Sequence, residues 1–310
     1  MGRNLLAAEA TNCAAPDTGN MEILAEFGTA QQQEEWLLPL LNGEIRSCFA
    51  MTEPWVASSD ATNLQSRIER DGDDYVVNAH KWWTSGAASA RCKVAVLLGV
   101  SNPDADPYHR QSMILVPMDA PGVRVVRTLP VFGHDAGGGH CETLYENVRL
   151  PASNLLGEEG GGFVALMQNL PRERLAIGAT ALAGAEAVFT TTLAYCKERE
   201  AFGRPIGKFQ HNRFVLAEIA TETAVARAFT DKAVLEHNAG KLSVADAAMV
   251  KWWNTELCNK VVDRCVQLHG GYGYMREFPV ARAFTDSRVQ TIFGGTTEIM
   301  KEIIGRDLGL

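Results

Sequence analysis

The 310-residue sequence has no C-x-x-C pair, and its seven cysteines, at 13, 48, 92, 141, 196, 258 and 265, are odd in number and scattered. Neither a disulfide framework nor a structural zinc site fits that distribution, and a reducing compartment is the simplest reading. Cationic surplus is lacking too, with 29 Lys and Arg against 37 Asp and Glu, and no basic stripe with interleaved aromatics occurs. A net charge of −8 favours neither nucleic acid nor an anionic membrane, so a polyanionic ligand must be held by local basic residues or helix termini. The N-terminal run Met1-Gly2-Arg3-Asn4-Leu5-Leu6 has neither the apolar core of a signal peptide nor the Arg/Ser richness of a transit sequence. No apolar run reaches the length of a bilayer span. The expectation is a cytoplasmic protein, or a mature organellar one, in the mitochondrial matrix if eukaryotic and processed. A P-loop is absent, because no Gly-Lys-Ser/Thr follows the glycines at 160, 161 and 162, which read as a hinge. His134, His140 and Cys141 bracket a triple glycine without a fourth ligand or a metal-site spacing; they read as a flexible turn, and no metal is expected.

With 46% hydrophobic and 21% charged residues the chain has enough apolar material for a sizeable core in two or three domains. Residues 1–46 read as irregular up to Gly19 and then helical, with Met21, Leu24, Phe27, Trp36, Leu37, Leu40 and Leu41 at helix-compatible intervals. From Arg46 the texture changes to short strand-like runs at 75–77, 94–100, 113–116, 123–126 and 142–148. Asp/Gly/Pro clusters at 71–74, 101–107, 119–122 and 133–139 punctuate them, which predicts an antiparallel sheet or small barrel. Beyond residue 162 long helical periods take over. One helix is expected to begin near Pro171, with Leu175, Leu182, Phe189, Leu193 and Cys196 on its apolar stripe. A second runs from about Gln210 through Val215, Ile219, Ala226, Phe229 and Ala233. A third starts at Ser243, whose spacing to Asp246 resembles a capping box, and carries Val250, Trp253, Leu257, Val261, Cys265 and Leu268 before Gly270 and Gly271 stop it. With a short helix after Thr296 these predict a four-helix bundle.

Five separated segments carry a family resemblance in their joint occurrence and order. They are Cys48-Phe49-Ala50-Met51-Thr52-Glu53-Pro54 with Ala57-Ser58-Ser59-Asp60; Asn78-Ala79-His80-Lys81-Trp82-Trp83-Thr84-Ser85-Gly86; Arg199-Glu200-Ala201-Phe202-Gly203-Arg204-Pro205-Ile206 with Gln210; Gln267-Leu268-His269-Gly270-Gly271-Tyr272-Gly273; and Phe293-Gly294-Gly295-Thr296-Thr297-Glu298. Together they resemble the acyl-CoA dehydrogenases. The first half is most similar to family members ten and eleven, the second half to long-chain and bacterial members. The resemblance implies an α+β fold with an N-terminal helical remnant over 1–46, shortened relative to the family. A middle antiparallel β-barrel domain over 47–158 and a C-terminal four-helix bundle over 159–310 follow it.

The same resemblance implies an FAD flavoprotein of fatty-acid oxidation. It converts a saturated acyl-CoA to a trans-2-enoyl-CoA, with hydride passing to flavin N5 and an electron-transferring flavoprotein as acceptor. Two alternatives stay open: a non-catalytic flavin or acyl-CoA binding protein, and a flavin oxidase of the same fold. Many family members place the catalytic glutamate where Gly294 stands here. Glycine keeps a backbone N–H for the thioester carbonyl but supplies no carboxylate. The long-chain and isovaleryl branches carry their glutamate on an earlier helix just before an arginine, which matches Glu173. Glu173 reads by itself as a first-turn acid complementing the helix dipole; its coincidence with Gly294 selects it as the base. Arg174 is either a surface ion-pair partner or a cation ordering Glu173 and the substrate mouth, and Gly295 falls in the same substrate loop.

For the cofactor, Phe49, Met51 and Thr52 match positions on the flavin pyrimidine edge, and Trp83, Thr84 and Ser85 match those covering its face. A tryptophan such as Trp83 also reads as plain core. Ser59 matches a position shared between FAD and the CoA thioester, with Ser58 as the alternative. Arg199, Phe202 and Gln210 resemble the residues that grip the FAD of a neighbouring subunit, which implies a homotetramer or at least a dimer. Gln267 and Gly271 complete that adenine end, though Gly271 is equally a helix stop. Thr296 and Glu298 sit where helix N–H groups meet ligand oxygens.

Overall fold

The computed structural model describes residues 1–133 and 138–310. His134, and part of the turn expected around it, lie outside the described residues. The chain divides into two units: a helical one of residues 170–310 with the first eight residues and 132–133, and a sheet unit of residues 9–131 and 138–169.

The N-terminal stretch departs from its expected irregularity. Helix α1 (Leu5–Ala10) forms from the Leu/Ala run, and α2 (Asp17–Phe27) begins before Gly19. Two short pieces, α3 (Ala30–Gln32) and α4 (Leu38–Leu41), follow. What fixes α2 is polar. Asp17 Oδ1 accepts from the Ser47 amide at 2.7 Å and the Ser47 hydroxyl at 2.6 Å, while Arg46 Nε pairs with Asp17 Oδ2 at 2.5 Å. A buried carboxylate holds its place only when paired and hydrogen-bonded in this way.

Strand β1 (Arg46–Ala50) opens a single sheet with β2 (Arg67–Asp71), β3 (Asp74–Ser85), β4 (Cys92–Val100), β5 (Gln111–Pro117), β6 (Val123–Thr128), β7 (His140–Pro151) and β8 (Leu155–Leu156). The strand order is β6-β7-β3-β2-β4-β5-β8, and β1 pairs with β4. Pairing is antiparallel except where β1, and one residue of β2, run parallel to β4. Strand β4 lies between neighbours and is buried almost along its whole length, as its unbroken apolar run requires. In β3 burial alternates through Tyr75, Val77, Ala79 and Lys81, and the apolar members join Ile68, Leu97, Ile114, Tyr145 and Val148 in the core. The alternation breaks at Trp82 and Trp83, where the register against β7 shifts between Lys81 and Thr84. Such a bulge re-aims the side chains it carries.

Helix α5 (Gly162–Glu198) starts well before Pro171, which lies inside it rather than in its first turn. An interior proline costs a helix about 3 kcal/mol; burial of Leu166, Leu175 and Leu182 along the helix offsets it. By length and composition α5 is long and apolar enough to cross a membrane, a property that the core helices of globular proteins share. Its Ala181, Leu182, Ala185 and Val188 pack in one core with Ile219 and Ala226 of α6 (Gln210–Asn238) and Leu257, Val261 and Cys265 of α7 (Val244–His269). Ser243 caps α7 as expected, accepting from the Asp246 amide at 2.9 Å. Between α5 and α6 lie β9 (Glu200–Ala201) and β10 (Arg204–Pro205), and α8 (Pro279–Ser287) and α9 (Thr297–Asp307) complete the unit against α7.

Gly178 sets how closely α5 approaches α7. A Cβ there would stand 2.7 Å from the Val250 carbonyl oxygen, and Asn254 Nδ2 donates to the Gly178 carbonyl at 3.1 Å. Gly178→Ala forces backbone against backbone and is expected to destabilise the protein by about 1–3 kcal/mol, read in urea unfolding. An unchanged midpoint would mean that the helices separate freely here.

Candidate active site

Three groups of sequence-selected residues assemble, each within one unit. In the sheet unit, Phe49 lies half-buried on β1, and Met51 and Thr52 follow it into the next loop. Lys81 on β3 anchors that loop. Its Nζ donates three bonds of 2.8 Å, to the Met51 carbonyl, Glu53 Oε1 and the Leu98 carbonyl, so all its protons are used. Glu53 in turn accepts from the Gln65 amide at 2.8 Å and the Ser66 amide at 3.0 Å. Burial pushes the Lys81 ammonium down to about 8 even though Glu53 opposes the shift. For Glu53, burial acts upward, but the Lys81 charge and the hydrogen bonds outweigh it and hold the carboxyl below the ordinary range. Neither residue stood out in the sequence as functional, although both fall inside quoted motifs.

The Trp82 amide donates to the Thr52 carbonyl at 3.0 Å, bringing the bulged end of β3 beside the loop. Trp83 has φ +55°, rare for a bulky residue, and remains 46% exposed. Strain of this kind persists only where surrounding structure enforces it, and it concentrates at ligand sites. Thr84 is buried with its hydroxyl 3.3 Å from that of Thr143, and the Ser85 hydroxyl lies 2.7 Å from His140 Nδ1. The Ser58 hydroxyl accepts from the Glu53 amide at 3.2 Å, whereas Ser59 is exposed.

In the helical unit, Glu173 lies half-buried within α5 rather than in its first turn, which removes the dipole reading of that acid. Its neighbour Arg174 is 3% exposed. Burial lowers the Arg174 pKa, and the Glu173 charge opposes that fall. Arg174 Nε donates to the Gly294 carbonyl at 3.3 Å, and Lys251 Nζ to the Gly295 carbonyl at 2.7 Å. Gly294 and Gly295 have φ +64° and +100°, conformations that favour glycine. A Cβ on Gly294 would lie 2.5 Å from Ile177 Cδ1. Thr296 caps α9 by accepting from the Ile299 amide at 3.3 Å. Glu298 is exposed, and its own amide and Thr296 hold its carboxyl below the usual range.

Arg199, Gln267 and Gly271 line one cleft of about 720 Å³ in the helical unit, together with Tyr195, His211 and His269. Arg199 lies 5.3 Å from the centre of the Tyr272 ring and makes no ion pair among the described residues. Phe202 and Gln210 are outside the cleft lining. Phe202 sits at the turn joining β9 to β10 with φ +54° and is 96% exposed, and Gln210 is the exposed first residue of α6. Among the described residues no cluster of three metal-ligand side chains occurs.

The acyl-CoA dehydrogenase middle domain matches residues 48–148, and the acyl-CoA dehydrogenase C-terminal domain matches residues 160–309. The protein named probable acyl-CoA dehydrogenase FadE2 of Mycobacterium tuberculosis is 46% identical over 97% of this chain and 74% of its own length. Acyl-CoA dehydrogenase family member 11 of Gallus gallus is 41% identical over 98% of this chain, which spans only 40% of that longer protein. The crystal structure of acyl-CoA dehydrogenase from Geobacillus kaustophilus superposes with a TM-score of 0.88 at 39% identity, over 93% of this chain and 75% of that one. PigA, solved with FAD and proline, gives a TM-score of 0.88 at 26% identity, over 97% of this chain and 76% of that one. By its two matched domains and its fold, the chain is an oxidoreductase of the acyl-CoA dehydrogenase family.

Proposed function

We propose that the protein dehydrogenates a saturated acyl-CoA to the trans-2-enoyl-CoA, with FAD as cofactor and Glu173 as the base. The observation that carries this reading is the relation of Gly294 to α5. Residues 173 and 177 are one helical turn apart on one face, and a side chain at 294 would meet the tip of Ile177. A carboxylate on α5 at 173 therefore serves the region that a carboxylate at 294 would serve.

The cofactor fits the residues present. Arg199 offers a cation without a carboxylate partner among the described residues, Gln267 an amide and Gly271 an open backbone in one cleft, a donor set suited to the phosphates and adenine of a dinucleotide. Phe202 and Gln210, both exposed, would grip together with Arg199 the FAD of a neighbouring copy, which makes the active form an oligomer. In the sheet unit Phe49, Met51 and Thr52 would hold the flavin ring edge, Trp83 and Ser85 its face, and Ser58 or Ser59 the part nearest the thioester. Thr84 contributes through its backbone, since its hydroxyl is buried against Thr143. Bound flavin supplies the acceptor, at N5, for the hydride leaving the β-carbon.

The chain's own residues do the rest. The Glu173 carboxylate takes the α-proton, with the Arg174 charge beside it. The Gly294 amide donates to the thioester carbonyl as negative charge develops there, the contribution expected of a fixed backbone donor. Gly295, Thr296 and Glu298 complete the turn and the start of α9 that line the acyl end. An electron-transferring flavoprotein is the proposed acceptor.

Purified protein is expected to be yellow and to bleach anaerobically when mixed with a saturated acyl-CoA from a panel of straight and branched chains. Flavin that binds but bleaches with no member of the panel would contradict the reading in favour of a binding protein. Rapid reoxidation in air without a protein acceptor would contradict the dehydrogenase in favour of an oxidase.

A further inference from the structure

Lys251 on α7 is fully buried, yet it makes no ion pair among the described residues. Its helical phase explains the burial. Ala247, Ala248, Asn254, Thr255 and Cys258 of the same face are buried as well, so the lysine points inward with them. Gly178, by letting α5 approach α7, brings Arg174 and Lys251 beneath the same turn. Two desolvated cations thus meet two consecutive carbonyls, Arg174 that of Gly294 at 3.3 Å and Lys251 that of Gly295 at 2.7 Å. Like charges cannot pair with each other, and among the described residues Arg174 Nη1 is buried with no hydrogen-bond partner. A fold that needed only to fill this space would place apolar side chains here at lower cost.

We propose that Lys251 is a positioning residue for the Gly294–Gly295 turn, gripping the Gly295 carbonyl so that the turn's amides keep the direction that an acyl thioester requires. The inference rests on the proposed reaction, because it assigns the turn its role there. A charge-assisted bond is roughly twice as strong as a neutral one, so the grip depends on the ammonium form. The groups facing Lys251 are Arg174 from α5, Glu298 from α9 and Glu256 of its own helix. Burial, followed by the Arg174 charge, lowers the Lys251 pKa to about 8, while Glu256 and Glu298 oppose the fall.

Stability and grip then move in opposite directions with pH. The unfolded lysine keeps its proton to an ordinary 10.5, so between about 8 and 10.5 the unfolded chain binds more protons and this residue favours folding increasingly as pH rises. Over the same interval the turn loses its charge-assisted donor. Alkaline loss of turnover without a matching loss of stability from this residue is the signature of a positioning lysine.

The test compares wild type, Lys251→Met and Lys251→Arg, each loaded with FAD, by amide hydrogen exchange and by anaerobic flavin reduction. Exchange is corrected for the intrinsic effect of pH. In Lys251→Met, protection of the peptide covering 293–298 is expected to fall by about tenfold to a hundredfold, with the rest of the helical unit protected as in wild type and flavin retained. The flavin-reduction rate constant is expected to fall in the same range, with a smaller change in acyl-CoA affinity, and its alkaline limb near pH 8 to disappear. Lys251→Arg is expected to recover part of both. In wild type, raising the pH from neutral through about 8 is expected to loosen the same peptide, a measurement that needs no variant to fold. Wild-type protection of 293–298 in Lys251→Met, or loss of protection spread evenly over the unit, would overturn the proposal. Local loosening in a protein that bleaches with no acyl-CoA would support the grip and contradict the proposed reaction, so the two failures are distinct.

Discussion

Glu173→Gln slows anaerobic flavin bleaching by a saturated acyl-CoA by about 10²–10⁴-fold while the flavin remains bound. The amide matches the carboxylate in shape but accepts no proton, so only the base is removed. Glu173 is half-buried in the interior of α5, and its charge acts on the buried Arg174 beside it. Glu173 is not among the residues that line the cleft of Arg199 and Gln267. Flavin content is therefore expected to equal that of wild type, which separates loss of base from loss of cofactor. Glu173→Asp keeps the carboxylate but draws it back by one methylene, and a rate between those of wild type and the glutamine variant is expected from stopped-flow absorbance. Bleaching of Glu173→Gln at the wild-type rate would mean that the proton goes elsewhere.

Lys81→Met destabilises the protein by about 3–5 kcal/mol, because it leaves the Glu53 carboxylate buried without its cation. Glu53 would retain the Gln65 and Ser66 amides, which solvate it incompletely. The carbonyls of Met51 and Leu98 would also lose their donor, so the loop at 51–53 is expected to loosen and flavin to dissociate more readily. Removing the charge as well, in Lys81→Met with Glu53→Gln, is expected to recover a substantial part of the stability in chemical denaturation; full additivity of the two losses would contradict the pairing. The pH dependence carries a definite sign. The folded Glu53 carboxyl titrates below its ordinary 4.5, so the unfolded chain binds the proton first. Its contribution is complete above about 4.5 and is lost as pH falls through the lower folded value. Melting curves of wild type should therefore fall on acidification more steeply than those of the double variant.

Helices α6 and α7 were readable because a periodic apolar stripe and the Ser243 cap coincide with glycine at the end, so local and tertiary preferences agree. Strand β2 was not, since Arg67-Ile68-Glu69-Arg70-Asp71 carries one apolar residue and pairs through its backbone rather than through an apolar face. Pro171 points to a helix start because proline marks first turns far more often than interiors, whereas in α5 the burial on both sides of Pro171 prevails. In the candidate site, the residues that resemble family motifs were selected one by one, but the groups that support them were not. Lys81 between His80 and Trp82 reads as a solvated strand residue until Glu53 and two carbonyls converge on it. Lys251 left a fainter signal, a charge in phase with the buried face of α7. The bulge that turns Trp83 outward arises from pairing with β7, a long-range contact that no local run of residues expresses.

An acyl-CoA with a quaternary β-carbon isolates the role of Glu173 as the base in a chain with glycine at 294. Such a compound has no β-hydrogen to surrender, so only proton transfer at the α-carbon remains. In deuterated water the flavin-loaded wild type is expected to exchange its α-hydrogen for deuterium, and Glu173→Gln to leave it in place, as read by mass spectrometry. Exchange by Glu173→Gln at the wild-type rate would contradict the account.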